Sequence, residues 1–322
     1  MELILGWNGC CGKTVLVRFS QATIAVIAVV ASLVILAMKL TAWWMTGSDA
    51  VLSDALESIV NVVASLMTLG AIRFAAKPAD AEHPYGHGRA EFVSAAVEGG
   101  MLVATGTFII IRCVSGMFAQ SPPIAYTGIG LVLVIASGAL NLALAWLMVS
   151  TGRRTESAAL IADGMHVLSD SITTAAVIVG LVLIRFTEWF WIDPVIALAL
   201  GCFLLSMGWR VAKGSVSRLI DRQDDGDIAK LTALLRRHLN GGGQTPTICS
   251  FDKARCRHDG SRHWIDMHLR LPPSMSVAQS HDIATVIEER AIAALGGGGE
   301  ATAHCEPCQD RDCPCNRAAS TS

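Results

Sequence analysis

Residues 189–227 read WFWIDPVIALALGCFLLSMGWRVAKGSVSRLIDRQDDGD, and a change of character inside this stretch decides the architecture. From 189 to 212 the side chains are almost all apolar, and the run is long enough to cross hydrocarbon about 30 Å thick at about 1.5 Å of helical rise per residue. From Asp221 onward the chain turns charged and mixed, which marks the passage from a membrane-embedded part to a soluble one.

Upstream of this run, five more apolar stretches lie near 21–45, 50–74, 92–115, 124–149 and 157–184, giving six expected spans. The composition agrees: of 322 residues 52% are hydrophobic and 16% charged, more apolar side chain than a soluble domain of this size requires. The first run follows Lys13 and Arg18 but is too long for a signal-peptide core and lacks a small-residue cleavage site, so a retained helix is expected. Basic residues cluster between spans two and three (Arg73, Lys77, Arg89), between four and five (Arg153, Arg154) and after span six (Arg210, Lys213, Arg218, Arg222). The alternate loops, such as 119–127, carry almost none. By the positive-inside rule both termini and the even loops are expected in the cytoplasm. The net charge of −2 is uninformative about partners, because the charges partition by loop and show no nucleic-acid patch; the lipid bilayer is expected from the apolar spans instead.

After Asp221 a helical spacing of Ile228, Leu231, Leu234, Leu235 and Leu239 spans 225–239. Strands are expected near 248–256 and 264–271, a second helix from Ser276 to the glycine run at 296–299, and a closing strand at 301–305. The order α-β-β-α-β suits a two-layer α+β domain with its helices on one face of the sheet. The expected division is an N-terminal cytoplasmic segment 1–20, an all-α six-helix transmembrane domain 21–212, a cytoplasmic α+β domain 213–303 and a Cys-rich tail 304–322. Ten cysteines in a chain whose tail faces a reducing compartment read as thiols for metal or redox chemistry, not as a disulfide framework.

Chemistry concentrates in three places. Span two holds Asp54, Glu57 and Asn61, and span five holds Asp163, His166 and Asp170, an echo of the kind transporter repeats leave. Glu57 with Asn61, and His166 with Asp170, are four apart, so each pair projects from one helix face toward a single ion. A carboxylate at membrane depth is costly unless it faces the bundle interior, which makes these four the expected ligands of an ion rather than interhelical glue. Asp54 and Asp163, one turn earlier, line an access path or bond the ligands. The loop KPADAEHPYGHGR (77–89) offers Asp80, His83 and His87, an N,N,O set that suits a transition metal better than calcium. The tail supplies Cys305, Cys308, Cys313 and Cys315, with Cys10 and Cys11 at the other end as further thiols. No His-Glu-x-x-His, nucleophile elbow or phosphate loop is present in the sequence, so an enzyme is not expected.

Trp43-Trp44 before Thr46-Gly47-Ser48, the His83-Pro-Tyr-Gly-His-Gly-Arg89 loop leading to Glu91, the His166-x-x-x-Asp170 of span five and Asp193-Pro194 together resemble the cation diffusion facilitators, of the bacterial ferrous-iron and zinc efflux type. The resemblance covers nearly the whole chain. It implies a homodimer, a ferredoxin-like cytoplasmic domain, and export of a divalent transition metal in exchange for protons across a bacterial cytoplasmic membrane. Zn leads as cargo, with Fe, Mn, Co and Cd as alternatives. Carried residue by residue, it places the transport site on Glu57, Asn61, His166 and Asp170 and the loop site on Asp80, His83 and His87. In the soluble domain it points to His268, His281, His304 and Glu306, with Phe251 standing where a further histidine is expected and Cys249, Cys256, His258 or the tail thiols as replacements. It also implies a charge contact between Arg89 and Asp221. The competing reading is a membrane-anchored metal sensor or assembly scaffold working through the Cys/His-rich domain.

Overall fold

The computed structural model describes residues 20–46, 49–116, 129–187, 189, 191–239, 243–260, 262–310 and 313. Six long helices occupy the N-terminal two thirds of the chain: α1 (Gln21–Thr46), α2 (Asp49–Ala75), α3 (Ala90–Gly116), α4 (Ile129–Thr155), α5 (Ala158–Thr187) and α6 (Ile192–Leu219). All but α5 are long and apolar enough to cross a membrane by length and composition. The 30 residues of α5 match that length but carry Asp163, His166 and Asp170 in their first half.

The expected spans coincide with these helices except at two C-terminal ends. Helix α4 continues to Thr155 and α6 to Leu219, past the expected ends at 149 and 212. Hydropathy marks where a helix leaves lipid, and a helix can run on into water. Arg153 and Arg154 in the last turn of α4, and Arg218 in that of α6, favour the continuation by facing the negative end of the helix dipole.

Two packing units make up the membrane part. Ile24 and Ala28 of α1, Leu69 and Ile72 of α2, Leu144 and Met148 of α4, and Leu160 and Val167 of α5 share one buried core. Helices α3 and α6 instead lie against each other along glycines. A Cβ on Gly99 would stand 2.5 Å from the Ala212 backbone nitrogen, one on Gly106 2.8 Å from the Gly201 carbonyl, and one on Gly208 2.7 Å from the Gly99 carbonyl. Small residues let two helices approach to backbone contact, where dispersion and close packing hold them in lipid.

The soluble domain comprises α7 (Asp225–His238), β1 (Ser250–His258), β2 (His263–Leu271), α8 (Val277–Ala294) and β3 (Gly299–Pro307). This is the expected α-β-β-α-β order. The sheet runs β1-β2-β3, with β1 antiparallel and β3 parallel to the central β2. On β2 the alternation is strict: Ile265, Met267, Leu269 and Leu271 are buried with Leu231 and Leu235 of α7 and Ile287 and Ala291 of α8. Trp264, Asp266, His268 and Arg270 occupy the other face. Local chemistry fixes the helix starts. Asp224 accepts from the Gly226 and Asp227 amides, the first of which holds its carboxyl below the usual range, and Ser276 forms a capping box with Gln279.

Candidate metal centre

Helices α2 and α5 bring three of the four expected transport ligands together. Asn61 Nδ2 donates to Asp170 Oδ2 at 2.5 Å, and His166 Nε2 lies 3.0 Å from Asn61 Oδ1. Asn61 and His166 are both buried, at 7% and 5% exposure. An amide between a carboxylate and an imidazole has one self-consistent orientation: its NH2 faces the carboxylate and its oxygen accepts from the ring N–H. Asn61 thus links the carboxylate of α5 to the imidazole one turn before it. The backbone of Glu57 and Asp54 lies in α2, one and two turns before Asn61, while their side chains lie outside the described residues.

Asp163, expected near an access path, is fully buried and accepts from Ser65 at 3.4 Å. It belongs to a polar column that the sequence reading missed. Thr68 on α2 donates to Glu98 Oε1 of α3 at 2.6 Å, Ser94 reaches the same oxygen at 3.2 Å, and Ser157, which also caps α5, donates to Glu91 Oε2 at 2.5 Å. Glu98 is fully buried, and its Oε2, like Asp163 Oδ2, has no hydrogen-bond partner among the described residues. A Glu in the middle of span three was itself a signal, because an ionisable side chain at that depth demands an explanation.

Asp80, His83 and His87 of the loop lie together. Ligand atoms of Asp80, His83 and His87 lie within 4.8 Å of one another, with Asp80 Oδ1 3.2 Å from His83 Nδ1 and Asp80 Oδ2 3.3 Å from His87 Nε2. The His83 backbone amide, donating to Asp80, is the main cause holding that carboxyl below its usual range. His87 is buried edge-on against Phe74, which fixes its ring, while Asp80 and His83 face solvent.

In the soluble domain His268, His304 and Glu306 converge on the open face of the sheet, in register on β2 and β3. His268 Nδ1 is 2.8 Å from Glu306 Oε1, a contact that leads the causes lowering the Glu306 carboxyl's pKa. Phe251 does not share this face. It packs on the helix-side core, and Asp252 stands opposite His268 with an oxygen 3.8 Å from Nδ1. Arg270 occupies part of the same face, 2.7 Å from Asp252 and 3.6 Å from Glu306, so one guanidinium is shared between the two carboxylates. His281, on α8, lines the same cleft as His304 and Glu306 but stands outside the ligand cluster. Cys305 alternates away from His304 and points its thiol at the Ser280 carbonyl, and burial raises its pKa. Cys249, Cys308 and Cys313 do meet, whereas Cys10, Cys11 and Cys315 lie outside the described residues.

Residues 25–220 match the family described as cation efflux transmembrane domain, and 243–308 match the cation efflux protein cytoplasmic domain. The chain belongs to the cation efflux family. It is 34% identical over 287 residues to an uncharacterized transporter of Synechocystis, covering 89% of this chain and 90% of that one. It is 29% identical over 292 residues to the cation-efflux pump FieF of Klebsiella pneumoniae, at 89% and 92% coverage. The FieF pump of Shewanella oneidensis is 28% identical over 281 residues, at 87% and 92%. This cation efflux protein is therefore an integral membrane transporter of divalent metal cations. The sensor-or-scaffold reading is not favoured, and the family is one of transporters rather than enzymes.

The seam between the two matched regions of this cation efflux protein is built on Asp221. Its carboxylate takes Arg89, at the start of α3, on one oxygen and Arg257 of β1 on the other, at 3.3 Å. Arg89 also donates to the Leu219 carbonyl at 3.3 Å. Around this bridge Tyr85 of the loop packs edge-on against Trp264, with ring centroids 5.0 Å apart. Gly88 is a position where only hydrogen fits, because a Cβ there would stand 2.2 Å from the Asp259 carbonyl.

Proposed function

We propose that this transporter exports a divalent transition-metal ion from the cytoplasm in exchange for protons. Asn61, His166 and Asp170, together with Glu57, are its transport ligands. The convergence of Asn61, His166 and Asp170 between α2 and α5, with Asn61 and His166 buried, carries this reading. An imidazole nitrogen and a carboxylate bind a metal only when deprotonated, so protons arriving at the site weaken its hold and release the ion. A nitrogen-and-oxygen set of this kind favours Zn and accommodates Fe, Mn, Co and Cd. The working unit is a homodimer joined through the cytoplasmic domain, placed in a bacterial cytoplasmic membrane with both termini inside. The name of the matched cytoplasmic region's family and the bacterial relatives support this. Purified protein in vesicles is expected to drive metal one way and protons the other. Flux indifferent to an imposed pH gradient overturns the exchange, and no flux of any of the five metals overturns the transport reading.

Asn61→Asp is expected to steepen the pH dependence of transport and shift its midpoint upward by about one pH unit. A second carboxylate beside Asp170 makes the last proton of the pair harder to remove, because its loss would leave two like charges together. Initial rates measured across mildly acidic to neutral pH test this, and an unchanged profile would make Asn61 a packing residue.

Asp221→Ala is expected to cost about 0–1 kcal/mol of stability, because its partners are nearly half exposed. It is nevertheless expected to abolish stimulation of transport by metal bound to the soluble domain, since Arg89 and Arg257 then lose their common anion. Transport rates measured against rising metal concentration give the readout, and normal stimulation argues against the coupling.

A further inference from the structure

We propose that Cys249, Cys308 and Cys313 form a binding site for a thiophilic divalent cation, Zn(II) or Cd(II). This site is separate from the transport ligands, the loop cluster and the histidines of the sheet.

The backbone brings the thiols together from distant parts of the chain. Cys249 immediately precedes β1 and Cys308 immediately follows β3, and these two strands flank β2 on opposite sides. The Cys249 amide donates to the Arg270 carbonyl at 2.9 Å and the Cys308 amide to the Leu271 carbonyl at 2.8 Å. Two of the three cysteines are thus fixed by sheet hydrogen bonds at the same end of β2. The Cys313 amide donates to the Asp310 carbonyl at 3.3 Å, and the third thiol lies beside the other two.

All three sulfurs lie within 4.8 Å of one another, and Cys308 and Cys313 are each 7% exposed. Sulfurs around a tetrahedral zinc with bonds of about 2.3 Å stand about 3.8 Å apart, so the cluster closes on an ion by shifts under about 1 Å.

The plainer account is that three small apolar residues pack as core. The packing itself argues against that. Among the described residues these cysteines form a cluster of their own, with no Leu, Ile, Val or aromatic side chain in it. The interior of the domain, around Leu231, Leu269 and Ile287, is a different cluster. Among the described residues, the contact of these three cysteines with one another gains little from the hydrophobic effect, at about 25 cal/mol per Å² of apolar surface. A metal bonded to three thiolates supplies what that contact lacks.

Three sulfur donors select soft or borderline ions over Mn, Mg or Ca. The cation enters as M(II), the thiol protons leave to solvent, and no electron is transferred. The ion would join the ends of β1 and β3 to Cys313, leaving a fourth position for water or another donor.

The test uses full-length protein, reduced, stripped with chelator and titrated with Cd(II), following the ultraviolet thiolate-to-cadmium charge-transfer band. Wild type is expected to bind one equivalent more than the triple variant Cys249→Ser, Cys308→Ser, Cys313→Ser, and to show the larger band. Cys305→Ser, whose thiol faces Ser280, is expected to match wild type. Equal stoichiometry and equal bands in the wild type and the triple variant overturn the site, as does a Cys308–Cys313 disulfide in protein kept under reductant. Should the triple variant not fold, zinc-edge X-ray absorption on wild type decides the matter. A sulfur-dominated shell at about 2.3 Å is expected. A shell of nitrogen and oxygen alone at every zinc loading overturns the proposal.

Discussion

Asp170→Ala and His166→Ala are each expected to lower metal flux by about 100-fold or more while leaving a folded protein. Removing even an outer partner of a metal ligand typically costs about 10- to 100-fold, and these two side chains are donors themselves in the proposed site. The folded state should tolerate the change. Asp170→Ala deprives the Asn61 amide of its acceptor, at a cost of about 1–3 kcal/mol for a buried polar group left unsatisfied. The core that binds α2 to α5, including Leu69, Ile72, Leu160 and Val167, is untouched. Flux into vesicles and melting in detergent must therefore separate. Undiminished flux in either variant removes that residue from the transport site.

Adjacent glycines on α3 are expected to respond oppositely. A methyl at Gly99 would stand 2.5 Å from the Ala212 backbone nitrogen and 2.9 Å from its Cα, whereas one at Gly100 meets nothing within 4 Å. Backbone cannot rotate out of the way as a side chain can, so Gly99→Ala must separate α3 from α6. Overpacking of this kind costs about 1–3 kcal/mol and sometimes more. Gly100→Ala meets no such obstacle and should be neutral or stabilising by up to about 1 kcal/mol through helix propensity. Thermal melting of the two purified variants decides between them. Equal melting temperatures would mean that the glycine seam is not what holds the pair.

The helices and their polar stripes were legible in the sequence because both express a helical period: a 20-residue apolar run, and Glu57 with Asn61 or His166 with Asp170 four apart. What the period cannot show is which other helix comes alongside. Glu98 was visible as an acid inside a span, but its partner Thr68 lies thirty residues away on α2. The sheet gave a different obstacle. Between Asp252 and Arg255 the β1 register shifts, and Lys253 takes a left-handed φ of 48°. A bulge of this kind changes which residues oppose one another, and the residue opposite His268 is Asp252, while Phe251, which the resemblance put at a ligand position, pairs with Leu269. Cys249 likewise meets Cys308 only because β1 and β3 border the same strand, a fact of topology rather than of spacing.

The polar column on α3 has a mechanical consequence. Glu91 and Glu98 are seven residues apart, about 10.5 Å along the helix, and each is tied to the four-helix body, one through Ser157 and the other through Thr68. Because α3 is one continuous helix, sliding it along that body cannot loosen one tie and keep the other. Both hydrogen bonds are buried, so displacing the helix would break them together, at about 1–3 kcal/mol for each buried polar group left unsatisfied. Helix α3, with α6 packed on it through glycine, is thus pinned to the body at two points rather than hinged at one.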